Sequence, residues 1–296
     1  MFSMAKVLST AQRVQIVSAL VEANSLRATA RVAGVSRNTV NKLLRDLGAA
    51  CAIQQGETIG KLQTKRVEVD EIWSFVGMKQ ANVDEDLPEN VGDVWTFLAL
   101  DADSKLCISW MVGSRDTETA TNFLTDVEGR LARRVQLTTD GHAMYLEAVD
   151  RAFDRNVDYA QLVKRYGASP ESEHRYSPAK SIGCENSREI GRPNPALVST
   201  SFVERQNLTM RMSIRRFTRL TNAFSKKLEQ HCAAIALHFA YYNLCRPRSS
   251  VRTKGNNRVT PSMAAGLEKR QWKVEDLLAL LPPVEHKGGR AKTREI

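Results

Sequence analysis

The stretch Arg66-Val-Glu-Val-Asp-Glu-Ile-Trp-Ser-Phe-Val-Gly77 decides how the chain is read. Val67, Val69, Trp73 and Phe75 recur at period two and predict a β-strand, with Glu71 interrupting their face. β-Branched and aromatic residues suit a pleated, buried surface. Asp70 sits in the middle of it, between Glu68 and Glu71. A carboxylate in a central strand is costly to bury unless it is paired or bound to a cation. Two readings stay open on these residues alone: an exposed edge strand, or a strand whose Asp70 holds a metal ion.

The sequence after this strand favours a sheet. Val94–Asp101 and Leu106–Val112, joined through Asp101-Ala-Asp-Ser-Lys105, predict a β-hairpin. Asp116 or Thr117 caps a helix that turns Ala120, Phe123, Leu124 and Val127 inward. Val135–Thr139 is a short strand ending at Asp140-Gly141. A helix with Met144, Tyr145, Ala148, Val149 and Phe153 inward follows, then a strand over Val157–Val163. Three antiparallel strands followed by helix–strand–helix–strand is the order of an RNase H-like fold. The expected class is therefore α/β, a mixed sheet with flanking helices. Asp140 ends a strand, where such sheets carry ligands and catalysts, although Asp-Gly is equally a turn signal. Residues 165–200, broken by Gly167, Pro170, Pro178, Gly183, Gly191, Pro193 and Pro195, read as an inserted loop.

Upstream lies an all-α module. Helices are predicted over Ala11–Val21, Leu26–Val32 and Arg37–Leu47, the last after a glycine turn and the serine cap Ser36. The third buries Val40, Leu43, Leu44 and Leu47 and turns Arg37, Asn38, Asn41, Lys42 and Arg45 outward. This is a helix-turn-helix pattern with a polar, basic second helix suited to the DNA major groove; a three-helix bundle with a solvated basic face would look the same. Residues 51–65, with Gly56 and Gly60, read as a linker. The expected division is 1–50 for DNA binding, 66–250 for the catalytic sheet, and 251–296 as a basic C-terminal segment and tail.

Downstream, Ser201–Phe217 reads as one helix. Glu204, Asn207, Arg211 and Arg215 share a face, and Val203, Met210, Ile214 and Phe217 form an apolar one. A carboxylate followed by an amide and two guanidiniums suggests an acid beside a phosphate track. Lys226–Cys245 predicts a long scaffold helix.

Charge is unevenly distributed along the 296 residues, whose formal net charge is +10. Residues 1–65 hold nine Lys and Arg against three Asp and Glu, residues 66–165 eleven against nineteen, and residues 166–296 twenty-three against eleven. Basic flanks suggest a polyanionic partner such as nucleic acid. The five cysteines form no close ligand pair, so neither a zinc site nor a disulfide framework is indicated. With no apolar leader and no run long enough to span a bilayer, a cytoplasmic protein without membrane contact is expected.

Val69-Asp-Glu-Ile-Trp-Ser-Phe-Val-Gly77, Thr138-Thr-Asp-Gly141, Ser201–Met212, Arg215–Lys227 and Tyr241-Tyr-Asn-Leu-Cys-Arg-Pro247 together resemble the DDE transposases of the insertion-element-one family. The resemblance covers about residues 66–267 and is most specific around Glu204. It implies an RNase H-like catalytic domain whose catalytic, metal-ligating carboxylates are Asp70, Asp140 and Glu204. It also implies Mg2+ as cofactor, with Mn2+ able to substitute, and two-metal chemistry on phosphodiesters. The partners it implies are double-stranded DNA, as element ends and target, and a homodimer or higher oligomer on DNA. Family members often carry histidine after the proline where this chain has Arg248. A DNA-binding regulator that no longer cuts is the alternative from another class.

Overall fold

A computed structural model of the chain describes residues 8–84, 91–166, 181–218, 221–252 and 255–282. Its centre is a six-stranded mixed sheet in the order β3-β2-β1-β4-β5-β6. Strand β1 (Arg66–Val76) pairs antiparallel with β2 (Gly92–Asp101), which pairs antiparallel with β3 (Cys107–Gly113). On its other side β1 runs parallel to β4 (Gln136–Asp140), and β4 parallel to β5 (Asp158–Tyr166). The quoted strand is therefore central, flanked on both sides, and not an edge.

Both faces of the sheet are covered. Val67, Val69, Phe97 and Leu137 pack against helices Thr117–Gly129 and Met144–Phe153, whose inward residues are the ones their 3.6-residue period predicts. On the opposite face Ile72, Leu98 and Leu100 meet Val203, Met210, Ile235 and Phe239 from helices Ser201–Ser213 and Leu228–Ala240.

The N-terminal helices are Thr10–Val21, Leu26–Val32 and Arg37–Thr58, capped by Ser9, Ser25 and Ser36. We number the helices α1–α3 here, then α4 (Thr117–Gly129), α5 (Met144–Phe153), α6 (Ser201–Ser213), α7 (Leu228–Ala240), α8 (Pro261–Ala264) and α9 (Val274–Leu278). Helix α3 does not stop at Leu47: residues 51–58 of the expected linker continue it. Ala49, Ala50 and Ala52 favour helix, and Gly56 costs only about 1 kcal/mol there. The extension packs on α7, closely enough that a Cβ on Gly48 would meet the Ala233 carbonyl oxygen at 2.5 Å. Ile16, Val40, Leu47 and Cys51 thus share a core with Ala236, Leu237 and Leu277 of α7 and α9.

Two further expectations are corrected. The expected inserted loop over 165–200 supplies strand β6 (Ser181–Ile190), antiparallel to β5. It is an edge strand whose Gly183–Asn186 are exposed, so backbone pairing rather than an apolar alternation holds it. Helix α6 ends at Ser213, because Ile214 is extended (φ −108°, ψ 108°) and Arg215–Phe217 form a separate 3₁₀ turn. Ile214 and Phe217 reach the core by this break, and Arg215 leaves the face that carries Glu204 and Asn207.

Candidate metal centre

Parallel pairing of β1 with β4 places Glu68 opposite Thr138. Two residues further along both strands are Asp70 and Asp140, side by side where β4 ends. A Cβ on Gly141 would lie 2.9 Å from Val163, so glycine lets the chain leave the sheet close to β5. Oxygens of Asp70, Glu71 and Asp140 all lie within 4.8 Å of one another. Sequence reasoning joined Asp70 to Asp140 and gave Glu71 no role.

The three acids have different partners. Asp70 accepts from the Glu71 backbone N–H at 2.9 Å and from Asn207 Nδ2 at 2.8 Å. Asp140 Oδ1 accepts from the His142 backbone N–H at 3.1 Å. Glu71 has three donors: Arg115 Nε and Nη2 reach Oε1 at 2.7 and 2.6 Å, and the Tyr145 hydroxyl donates to Oε2 at 2.6 Å. Arg115 also lies over the Trp95 ring, 4.5 Å from its centroid. The Glu71 side chain is 1% exposed, and the guanidinium supplies the charge that makes such burial tolerable.

Asp70 has no such cation among the described residues. Burial raises its pKa to about 8, and the charges of Glu71, Asp140 and Glu204 add to the rise. Without a bound cation it is largely protonated at neutral pH. The donors here are carboxylate oxygens; the Asn207 amide that donates to Asp70 leaves its own Oδ1 buried without a hydrogen-bond partner. An all-oxygen, anionic cluster of this kind suits a hard divalent cation such as Mg2+ or Mn2+.

Glu204, the third expected ligand, stands on the first turns of α6. Its charge is felt at Asp70, but its own Oε1 is taken by Lys164 of β5 and by the Thr200 hydroxyl. The structure thus brings Asp70 and Asp140 together and leaves Glu204 nearby in an ion pair. Helix α6 is fixed on the sheet by Glu68, whose Oε2 accepts the backbone N–H groups of Phe202 and Val203 at 2.8 and 3.0 Å. A carboxylate at a helix N-terminus satisfies otherwise orphaned donors. Burial raises the Glu68 pKa, and these two hydrogen bonds oppose the rise.

The expected DNA-contact residues divide into three groups. Arg37, Asn38 and Asn41 line a cleft with residues 213–216, 221–224, Lys226 and Lys227. Lys42 and Arg45 are paired with Asp46, and Arg45 Nε lies 3.6 Å from Glu229 of α7. On α6, Asn207 serves Asp70, and Arg211 is half-buried. Arg248 places its guanidinium over the Tyr242 ring at 5.0 Å. No helix among the described residues is long and apolar enough to cross a membrane.

The chain matches no protein-family model and no curated protein sequence. Among solved structures it is similar to a Mos1 mariner paired-end complex with Mn, at 15% identity over 54% of this chain and 61% of that one, with a TM-score of 0.24. A Mos1 paired-end complex with Mg shows 15% identity over 51% and 59%, with a TM-score of 0.22. A piggyBac transposase synaptic complex with hairpin DNA shows 13% identity over 99% and 81%, with a TM-score of 0.37. The chain spans about three fifths of the length of the Mos1 chains it matches.

Proposed function

We propose that the chain is a DNA transposase of the DDE type, acting as the resemblance to the insertion-element-one family implies. The observation that carries this reading is the convergence of Asp70 and Asp140, from distant segments, at the end of a central parallel strand pair, with no cationic side chain on Asp70 among the described residues. Asp70 and Asp140 would hold divalent ions, with Glu204 as the third carboxylate. Bound there, such ions polarise phosphoryl oxygens and stabilise the charge on entering and leaving oxygens.

The chain's own residues would do the rest. Asn207 orients the Asp70 carboxylate through Oδ2. Glu68 fixes the first turn of α6 and so the height of Glu204 above the sheet. Lys164 neutralises Glu204 when no other cation is present and must release it before it can serve as a ligand. Glu71, held by Arg115 and Tyr145, braces the strand from the other face. The reaction would be hydrolysis of a phosphodiester at an element end, freeing a 3′-hydroxyl, followed by attack of that hydroxyl on target DNA. Two ends must meet, so a dimer or larger assembly on DNA is part of the proposal.

The test is incubation of the full chain with end-containing DNA, target DNA and Mg2+. Joined products support the proposal. Nicking without joining would make the chain a nuclease, and binding alone would make it a DNA-binding regulator.

A further inference from the structure

A large cleft lies away from the carboxylates. It has a volume of about 880 Å³, between the N-terminal helices and the segment that joins α6 to α7. Arg27 and Arg37 line one wall, and Arg215, Arg216, Lys226 and Lys227 the other. Asn24, Asn38, Asn41, Asn222 and Gln230 add amides, and no Asp or Glu lines it among the described residues. Arg27, Arg37, Arg215, Lys226 and Lys227 have no ion-pair partner among the described residues, although carboxylates neutralise Lys42 and Arg45 on the adjoining stretch of α3. Two polar atoms of the lining, Arg216 Nη2 and Gln230 Oε1, are buried with no hydrogen-bond partner. Phe224 lines the cleft, half-buried, and continues into a row of rings: Phe75 at 4.9 Å and Trp73 beyond it at 5.7 Å.

We propose that this cleft binds a single nucleic-acid strand, with the cations on its phosphates and Phe224 stacked on a base. The choice of ligand rests on the nucleic-acid reading above, but none of the carboxylates takes part. Cationic walls follow a phosphate backbone, and an aromatic ring accepts any base. A duplex fits less well. For α3 to enter a major groove about 12 Å wide, its Arg37-Asn38-Asn41 face would have to protrude; here that face is one wall of a cleft whose other wall includes residues 213–216, 221–224, Lys226 and Lys227. Helix α6 links the cleft to the candidate centre. Helix α6 carries Glu204 near its start and Ser213 at its end, about 14 Å further along at the α-helical rise.

The experiment is equilibrium binding of a fluorescent single-stranded oligonucleotide to the full chain, in EDTA, across a salt series, with the same sequence as duplex in a parallel arm. Arg215→Ala/Lys226→Ala/Lys227→Ala should weaken strand binding and reduce the log–log salt slope by about 2, since each phosphate contact contributes about 0.7 on single strands. Phe224→Ala should weaken binding about five- to a hundredfold with the slope unchanged. Phe224→Tyr should restore affinity, which separates stacking from loss of fold. Asp70→Asn should bind strand like the wild type, whereas a wild-type chain that binds strand but neither nicks nor joins DNA would overturn the proposed function and leave this one standing. No strand binding by the wild type, an unchanged slope in the triple variant, or a duplex that binds as tightly and is weakened equally would overturn it.

Discussion

The two faces of β1 treat neighbouring carboxylates in opposite ways. On the face turned to α5, Glu71 is enclosed with a guanidinium that neutralises it and a phenol that donates to it. On the face turned to α6, Asp70 is half-buried, and its partners are a neutral amide and a backbone N–H, with three further acids in range. One step along a strand reverses the face, and with it the set of elements that can supply a partner. The difference teaches that burial does not mark the functional acid; the missing cation does.

The contrast is broken most directly by exchanging charge for amide on each side. Asp70→Asn should lower DNA cleavage and joining by at least ~10²–10³-fold, the scale on which one preorganised electrostatic group acts, with DNA binding retained. Glu71→Gln should stay within about tenfold of the wild type, because Glu71 acts through Arg115 and Tyr145 rather than on substrate. Single-turnover assays on one DNA substrate compare the two. A stably folded Glu71→Gln that is as inactive as Asp70→Asn would erase the distinction.

Next comes stability. Arg115→Ala strips the cation from a buried carboxylate and should cost ~3 kcal/mol in urea unfolding, the low end for such pairs because Arg115 is itself partly exposed. Glu71→Gln in the same background should recover much of that loss. Independent, additive losses from the two changes would show that Glu71 and Arg115 are not a coupled pair.

The smallest of these effects concerns Glu68. Glu68→Gln keeps an acceptor for the Phe202 and Val203 N–H groups but removes its charge from the start of α6, for an expected loss of ~1 kcal/mol. Activity should fall by more than the stability change alone explains, since Glu204 stands one turn further along α6. A shift in stability with unchanged turnover would make Glu68 a cap and nothing more.

How much of this was legible in the sequence depends on the range of the contact. Period two in β1 and period 3.6 in α4 and α5 identified strands and inward faces, because one face of each element decides its burial. The Asp-Gly pair after β4 marked a strand end, and parallel register with β1 then sets Asp140 beside Asp70. Arg115 and Lys164 carried no such mark. Each meets its acid across the fold, at a place fixed by strand register and helix height rather than by any local pattern. Glu68 was visible only as a neighbouring charge, because its role depends on where α6 begins. The continuation of α3 past Leu47 and the strand β6 escaped for a related reason. Packing on α7 holds the first against its glycine, and pairing with β5 holds the second without an apolar face.

The central claim, that Asp70 is a carboxylate kept for a divalent cation, has a direct test in thermal unfolding of the wild type and Asp70→Asn from pH 4 to pH 9, with EDTA or with Mg2+ or Mn2+. The folded-state pKa of Asp70, about 8, lies above its ordinary value of 3.8. Ionisation therefore destabilises the metal-free fold progressively as pH rises from about 4 through 8, and not below that window. In EDTA, Asp70→Asn should melt close to the wild type at pH 4 and above it at pH 8 to 9, by an amount on the order of a few kcal/mol. The metal ion should raise the wild-type melting temperature at pH 8 and leave Asp70→Asn nearly unchanged. Equal metal-induced shifts in the two proteins, or a variant that melts below the wild type at pH 8 in EDTA, would contradict the assignment.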